Sequence, residues 1–405
     1  MTTHAKLTVP SSPPPHVAAG LVRDFDVFDM NAIDGDIHKT WHQFHDGPDI
    51  FYTPRNGGHW VFTRAEDIQE AYRNYDLFSS QIVSIPYVNT GFRFAPAEYD
   101  PPELSDYRNA LAPAFSPKAL RNYEQIVSDL SANLIEGFIA DGECEFQEAV
   151  AQRLPIAVFL GMMGFPMEDA AMLLPLVEDQ TRSPDPAQVQ SSMDAMIAYL
   201  SEKLDDRRRT PRDDLATKVI DSTIQGRPAT EQEVFSMCIN LMFAGLDTVV
   251  AELGFSMRFL ATHPEHQRQL ADDPSLIPEA VEELLRYHGV TNLARMVRND
   301  MQFKGIEMRA GDPVLLSTTL FGLDDRQFPD PMTIDFHREN KAHMIFGSGP
   351  HRCLGSHLAR LELRTFLEHW FARIPEFQIK AGEKVIAESG KNNAMLYLPL
   401  SWRRN

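Results

Sequence analysis

The residues with the greatest chemical potential stand together near the C-terminus, in Phe346-Gly347-Ser348-Gly349-Pro350-His351-Arg352-Cys353-Leu354-Gly355. Cys353 comes just ahead of an amphipathic run, Leu354 to Arg373, whose periodicity predicts a helix. A thiolate at a helix N-terminus is stabilised by free backbone N–H groups and by the helix dipole. Gly347, Gly349 and Gly355 remove side chains that would keep a large flat ligand away from the sulfur. Such an arrangement suits a thiolate ligand to haem iron, where electron release from sulfur favours O–O cleavage.

The same residues admit blander readings. A lone cysteine is often only a small buried hydrophobe. No third glycine follows Gly349 at the spacing of a dinucleotide fingerprint. Cys353 and His357 would make a metal pair, but zinc takes three or four clustered ligands. Cys144 and Cys238 lie far off, and there is no Cys-x-x-Cys.

A second constellation is Phe243-Ala244-Gly245-Leu246-Asp247-Thr248, a carboxylate and a hydroxyl side by side in an apolar run. Thr248 can bond back to the carbonyl one turn earlier, and Gly245 weakens a helix by up to about 1 kcal/mol relative to alanine. The pair reads either as a satisfied kink or as a proton relay beside bound oxygen. Glu283-Leu284-Leu285-Arg286 sets opposite charges at i, i+3, ordinarily a solvated surface pair.

The elements that must position these groups are mostly helical. Thr230-Glu231-Gln232-Glu233 reads as a capping box opening a helix that runs to His263-Pro264, about 45–50 Å long. A shorter helix spans Pro278 to His288 and ends at Gly289. From about residue 101 to 209 the apolar spacing is helical, with breaks expected at Pro155, Pro166, Pro184 and Pro186. Strand-like runs occur at 60–63, 301–303, 306–308 and 314–318, with Lys304-Gly305 as a tight turn. The expected fold is mostly α with small β sheets, a single domain over residues 1–405 with a Pro-rich arm at 1–17.

Hydrophobic residues at 43% and charged ones at 23% suit a globular protein with a sizeable core. Three cysteines argue against a disulfide framework and for a reducing compartment. The polar N-terminus has neither the basic start nor the apolar run of a signal peptide, and no uncharged apolar stretch matches a bilayer. A soluble cytoplasmic protein is expected. The net charge of −19 argues against nucleic acid as a partner.

The cysteine segment closely resembles the haem-binding loop of the cytochrome P450 superfamily. The likeness to its camphor-hydroxylating bacterial branch covers nearly the whole chain. It includes Asn56-Gly57-Gly58-His59-Trp60, Asp100-Pro101-Pro102-Glu103, Gly245-Leu246-Asp247-Thr248-Val249-Val250, and Leu354-Gly355 through Arg373-Ile374-Pro375. The resemblance implies haem b between the long helix and the cysteine loop, ligated by Cys353 within a loop that includes Phe346, Gly347 and Gly355. It implies Arg108, Arg295 and His351 on the haem propionates, Thr248 near the oxygen, and Asp247 as relay acid with Arg182 as its ion partner. Glu283, Arg286 and Arg338 become a buried structural network rather than a surface pair.

The substrate pocket implied by the resemblance comprises Ser84, Phe92, Asn240, Phe243, Ala244, Thr291 and Leu293. Phe92 stands where the branch uses a tyrosine to bond the camphor ketone, a loss of about 1 kcal/mol or more. Ser84 replaces a bulky aromatic, Phe243 a valine, Asn240 a leucine, and Leu293 an aspartate. The pocket is therefore expected to be larger on one side, smaller over the haem, and better suited to an ionone-type norisoprenoid ketone than to camphor. Asn240 offers an alternative hydrogen bond. The implied reaction is hydroxylation with O2 in a monomeric enzyme. Electrons come from a [2Fe–2S] ferredoxin and its NADH-dependent reductase, since the chain has no flavin or iron–sulfur motif of its own. Arg108, Arg352, Arg360 and Arg364 form the expected docking patch. Two rival classes are a peroxide-driven peroxygenase, which usually lacks the acid–alcohol pair, and a haem sensor or carrier of hydrophobic ligands.

Overall fold

The computed structural model describes residues 12–33, 36–87, 91–182 and 185–404. Five short strands form the largest sheet: β1 (Ile50–Thr53), β2 (His59–Phe62), β3 (Phe78–Ser79), β4 (Asn292–Val297) and β5 (Pro313–Ser317). Their spatial order is β1-β2-β5-β4-β3, so strands from distant parts of the chain are hydrogen-bonded neighbours. The β2–β5 pair is parallel and the other pairs are antiparallel. Trp60, Phe62 and Phe78 are fully buried, which matches the unbroken apolar run along β2. The hairpin of Met301–Phe303 and Ile306–Met308 turns on Lys304 and Gly305, both at positive φ, as the sequence predicts.

Six helices carry or support the chemistry: α1 (Glu103–Leu111), α2 (Pro117–Glu136), α3 (Glu231–Leu246), α4 (Thr248–Thr262), α5 (Ile277–His288) and α6 (Ser356–Phe371). α6 packs on α2 and α5, and α4 touches α5 and α6. The capping box at the start of α3 is complete: Glu233 N donates to Thr230 Oγ1 at 3.3 Å and Thr230 N to Glu233 Oε2 at 2.7 Å.

The expected single long helix is two helices. It breaks at Asp247, where φ is −117° and ψ −35°. The Thr248 hydroxyl donates to Ala244 O at 3.3 Å, taking up a carbonyl near the break. Residues 231–262 contain an 18-residue window apolar enough by composition to cross a bilayer, with mean hydropathy 1.7, although Asp247 interrupts it, so no uncharged stretch of that length occurs there. In the fold 61% of that window is buried, as suits core helices. Pro155 also departs from expectation, because it falls in the first turn of the Arg153–Met163 helix, where proline costs no hydrogen bond. Pro186 opens the helix Pro186–Arg209 after one that ends at Arg182, so a break falls there as expected, and Pro184 lies outside the described residues.

The carboxylates of α5 organise the segment leading to the cysteine. Glu283 and Arg286, both fully buried, form a two-pronged pair at 2.8 Å in each contact. Arg338 adds a bond to Glu283 Oε1 at 2.9 Å. Arg286 donates onward to Gly322 O at 2.7 Å and Pro331 O at 2.9 Å. A Cβ on Gly322 would lie only 1.9 Å from Arg286 O, so no side chain fits there. Next along the helix, Glu282 accepts from Arg360 Nη2 at 2.8 Å and sits 3.2 Å from His343 Nε2. A second buried group joins α4 to α5, with Glu252 Oε1 2.9 Å from His288 Nδ1. Burial pushes Glu252 up to about 8 and His288 down to about 3, so this pair is neutral at pH 7.

Two predictions follow from burial. Removing the carboxylate in Glu283→Ala leaves two guanidinium groups uncompensated and should destabilise the fold by about 3–5 kcal/mol, read from denaturant or thermal unfolding. Glu362 on α6 is buried with Oε2 unpartnered, and burial raises its pKa to about 8 from 4.5. A raised folded pKa means its contribution is fully present below the unfolded value and is lost as pH rises through about 8. Glu362→Gln should therefore flatten the decline of stability between about pH 4.5 and 8 by several kcal/mol, and an unchanged slope would show Glu362 ionised in the native state.

Candidate active site

The loop bearing Cys353 is pinned before the sulfur is reached. Gly347 and Gly349 both have positive φ, at +68° and +66°. A Cβ on Gly349 would lie 3.0 Å from both Arg73 Cα and Tyr72 O. These glycines therefore serve the turn and its contact with protein, whereas Gly355 faces the sulfur: a Cβ there would sit 3.8 Å from Sγ. Cys353 N donates to Phe346 O at 2.8 Å, and Gly347 N to Met344 O at 2.8 Å. The Phe346 ring is covered by the Arg360 guanidinium at 4.5 Å.

Cys353 has solvent-accessible surface yet is strongly desolvated, as a group at the floor of a concavity must be. Burial raises its pKa above the ordinary thiol value; the Gly355 N–H and the charges of Arg108, Arg352 and Arg360 oppose that rise without cancelling it. A coordinated metal is the further positive charge that holds a thiolate there. Burial is also the main cause that raises Cys144 and Cys238.

Arg108, on α1, donates from Nη2 to Arg352 O at 2.7 Å. Arg295, on β4, is buried, donates to Ala294 O at 2.7 Å, and lies over the Tyr72 ring at 5.1 Å. Among the described residues neither guanidinium has a carboxylate within 4.0 Å, and burial lowers the pKa of both. His351 Nε2 is buried without a partner. Its pKa is driven down to about 3, chiefly by burial and then by the charge of Arg295, with a further part from Arg108. The three groups share one neighbourhood.

Asn240 and Ala244 on α3 and Thr248, the first residue of α4, recur at i, i+4 and i+8 and keep accessible surface although these helices lie in the core. Asp247 is buried, and Asn392 Nδ2 donates to its Oδ2 at 2.8 Å. The side chain of Arg182, its expected ion partner, lies outside the described residues. Phe243 meets Phe94 edge-on at 5.7 Å; Phe92 meets Phe94 at 5.1 Å and Phe235 at 5.7 Å. Thr291 and Leu293 alternate along β4 with Arg295 beyond them, and Thr291 N donates to Thr318 Oγ1 at 3.0 Å. Ser84 Oγ donates to Pro86 O at 3.5 Å.

A sequence profile of the family described as Cytochrome P450 matches residues 144–396. The chain belongs to the cytochrome P450 family. The probable cytochrome P450 127A1 of Sinorhizobium fredii is 33% identical over 400 residues, covering 96% of each chain. The mycinamicin IV hydroxylase/epoxidase of Micromonospora griseorubida is 32% identical, covering 85% of this chain and 89% of that one. Among solved structures, CYP101J2 superposes with a TM-score of 0.90 at 34% identity, covering 97% of this chain and 100% of its own. CYP101C1 superposes at 0.89 with 33% identity over the same shares.

Cytochrome P450 enzymes carry haem with a cysteine thiolate as axial ligand. The residues present fit that group: an accessible sulfur flanked by Gly355, two guanidinium groups without carboxylates, and an orphaned imidazole nitrogen, suited to two propionates. The expected docking patch is less basic than its sequence suggests. Arg360 is tied to Glu282 and Arg364 lies 3.8 Å from Glu368, while Arg108 and Arg352 have no carboxylate within that range among the described residues.

Asn392 is the contact that sequence reasoning missed. Its only signal is the polar run Lys391-Asn392-Asn393 after Gly390, far from Asp247 in the chain.

Cys353→Ala is expected to fold but to lack the thiolate Soret signature in its ferrous carbonyl complex; retention of that band would place the ligand elsewhere. Arg295→Leu should lower haem affinity about tenfold, the worth of one charge-assisted bond, measured by haem transfer to an acceptor protein.

Proposed function

We propose that this cytochrome P450 monooxygenase hydroxylates a small apolar substrate of terpenoid size, with an ionone-type skeleton favoured over camphor. The observation that carries this reading is the acid–alcohol pair at the break between α3 and α4, next to the accessible positions Asn240 and Ala244 of α3. Cys353 would ligate the haem iron, Arg108, Arg295 and His351 would hold its propionates, and Phe346, Gly347 and Gly355 shape the loop. Haem, when bound, supplies oxygen activation and the transfer of one atom of O2 into a C–H bond, with two electrons and two protons taken up as the other atom leaves as water.

Thr248 has its hydroxyl proton directed at Ala244 O, which leaves its oxygen lone pairs free to accept a bond from the cavity side. Asp247 is oriented by the Asn392 amide, and its carboxylate replenishes the proton that the hydroxyl site passes on. The aromatic group of Phe92, Phe94, Phe235 and Phe243 excludes water from an apolar pocket. Ser84, Thr291 and Leu293 complete its wall. Electrons come from a [2Fe–2S] ferredoxin served by an NADH-dependent reductase, docking near Arg108 and Arg352. The protein works as a soluble, cytoplasmic, single-domain monomer.

Thr248→Ala should cut product formed per O2 consumed several-fold while haem content stays unchanged, and unaltered coupling would remove the relay role. Asp247→Asn should slow turnover about a hundredfold. Titrating the ferric protein with camphor and with an ionone-type ketone should give the larger spin shift with the ionone; the reverse defeats the reading of Ser84, Phe92 and Phe243. Peroxide-driven turnover exceeding that with ferredoxin and NADH would favour a peroxygenase.

A further inference from the structure

Buried positive charge is almost everywhere compensated in this protein. Among the described residues, every buried or half-buried arginine and lysine lies within 4.0 Å of a carboxylate except Arg108, Arg295 and Lys391. Two of these three are the guanidinium groups assigned above to the haem propionates. The third has no assigned partner.

Lys391 lies in the turn between strands β6 (Ile386–Glu388) and β7 (Ala394–Tyr397). Its backbone is fixed at the start of β4, because Asn292 N donates to Lys391 O at 2.9 Å and Asn392 bridges Thr291. The next side chain, Asn392, reaches Asp247 at 2.8 Å. Protein crowds the Lys391 side chain enough for burial to lower its pKa, yet part of it keeps accessible surface. Cys353 has the same combination, which marks a group standing in a concavity rather than sealed in the core. Among the described residues its ammonium also has no hydrogen-bond partner, although the chain carries 57 acidic residues.

A propionate is not the natural partner. Lys391 is anchored beside Asn292, and Arg295 lies three residues further along β4, about 10 Å away. The two cations therefore lie toward different ends of β4, and the Lys391 end is linked to Asp247 through Asn392.

We propose that Lys391 binds an anionic group of the substrate, so that the apolar, terpenoid-sized substrate carries a carboxylate. The proposal rests on the monooxygenase reading above and sharpens its substrate class. A single lysine matches a single negative charge; a phosphate ester would call for more than one cation or a forked guanidinium. The ammonium–carboxylate bond forms where water is scarce, so it fixes which end of the substrate lies toward β4. The apolar remainder then lies along Asn240, Ala244 and Phe243, and the carbon presented for hydroxylation is set by its distance from the carboxylate.

The test uses the full-length haem-loaded protein and two matched probe pairs, geranic acid with geraniol and decanoic acid with decanol. Binding is followed by the ferric spin shift and by calorimetry, in the parent, Lys391→Met and Lys391→Arg. In the parent each acid should bind at least about tenfold more tightly than its alcohol, the worth of one charge-assisted bond. Lys391→Met should bring the ratio close to one without weakening the alcohols, and Lys391→Arg should keep the preference. Equal binding of acid and alcohol by the parent, equal loss of both in Lys391→Met, or no acid binding in either pair overturns the proposal. So does a loss of haem from Lys391→Met, which would make Lys391 a propionate partner. Loss of the monooxygenase reading itself shows separately, as the absence of a thiolate spectrum in the unliganded parent.

Discussion

Burial holds the Cys353 thiol above its ordinary pKa, and a few fixed dipoles and charges work against it. A sulfur that must carry negative charge in such a place needs those groups at constant distance, so its loop has to be rigid. Two adjacent carboxylates on α5 supply much of that rigidity. Glu283, through Arg286 and Arg338, ties down carbonyls from Gly322 to Thr333 ahead of the loop. Glu282 grips His343 before the loop and Arg360 after it. The pairs are internal supports, and their net energetic worth matters less than the damage done when one partner is lost.

The same accounting of charge explains the rest of the cavity. With a net charge of −19 the protein has carboxylates to spare, yet among the described residues three partly or fully buried cations are left without one. Uncompensated charge in a desolvated place is costly unless something else is to meet it. The positions of Arg108, Arg295 and Lys391 therefore describe the polar demands of what the cavity holds, while the phenylalanines around Phe94 describe its apolar demands.

Local chemistry was the legible part of the sequence. The cysteine loop, the capping box at Thr230, the turn at Lys304-Gly305 and the Glu283–Arg286 spacing each follow from residues a few positions apart. What depends on partners distant in the chain was not legible. The pairing of β2 with β5 and the Asn392–Asp247 bond join segments with no sequence signal in common. The break at Asp247 was foreshadowed by Gly245 and Thr248, but their weakening of the helix did not reveal two separate helices. Glu252 and His288 read as ordinary helix residues until the fold brings them together. Gly349 shows the opposite error, a correct residue with the wrong reason, because its space is taken by the backbone of Tyr72 and Arg73.

The aromatic cluster has a mechanical consequence. Phe94 belongs to the segment following residue 91, and its edge-on contact with Phe243 at 5.7 Å fastens that segment to α3. Phe243 immediately precedes Ala244, whose carbonyl takes the Thr248 hydroxyl. Displacing Phe94 therefore disturbs a ring contact one residue from the carbonyl that sets the direction of the Thr248 hydroxyl. The packing of that segment and the orientation of the hydroxyl are mechanically linked through α3, so a substitution at Phe94 should be felt at Thr248.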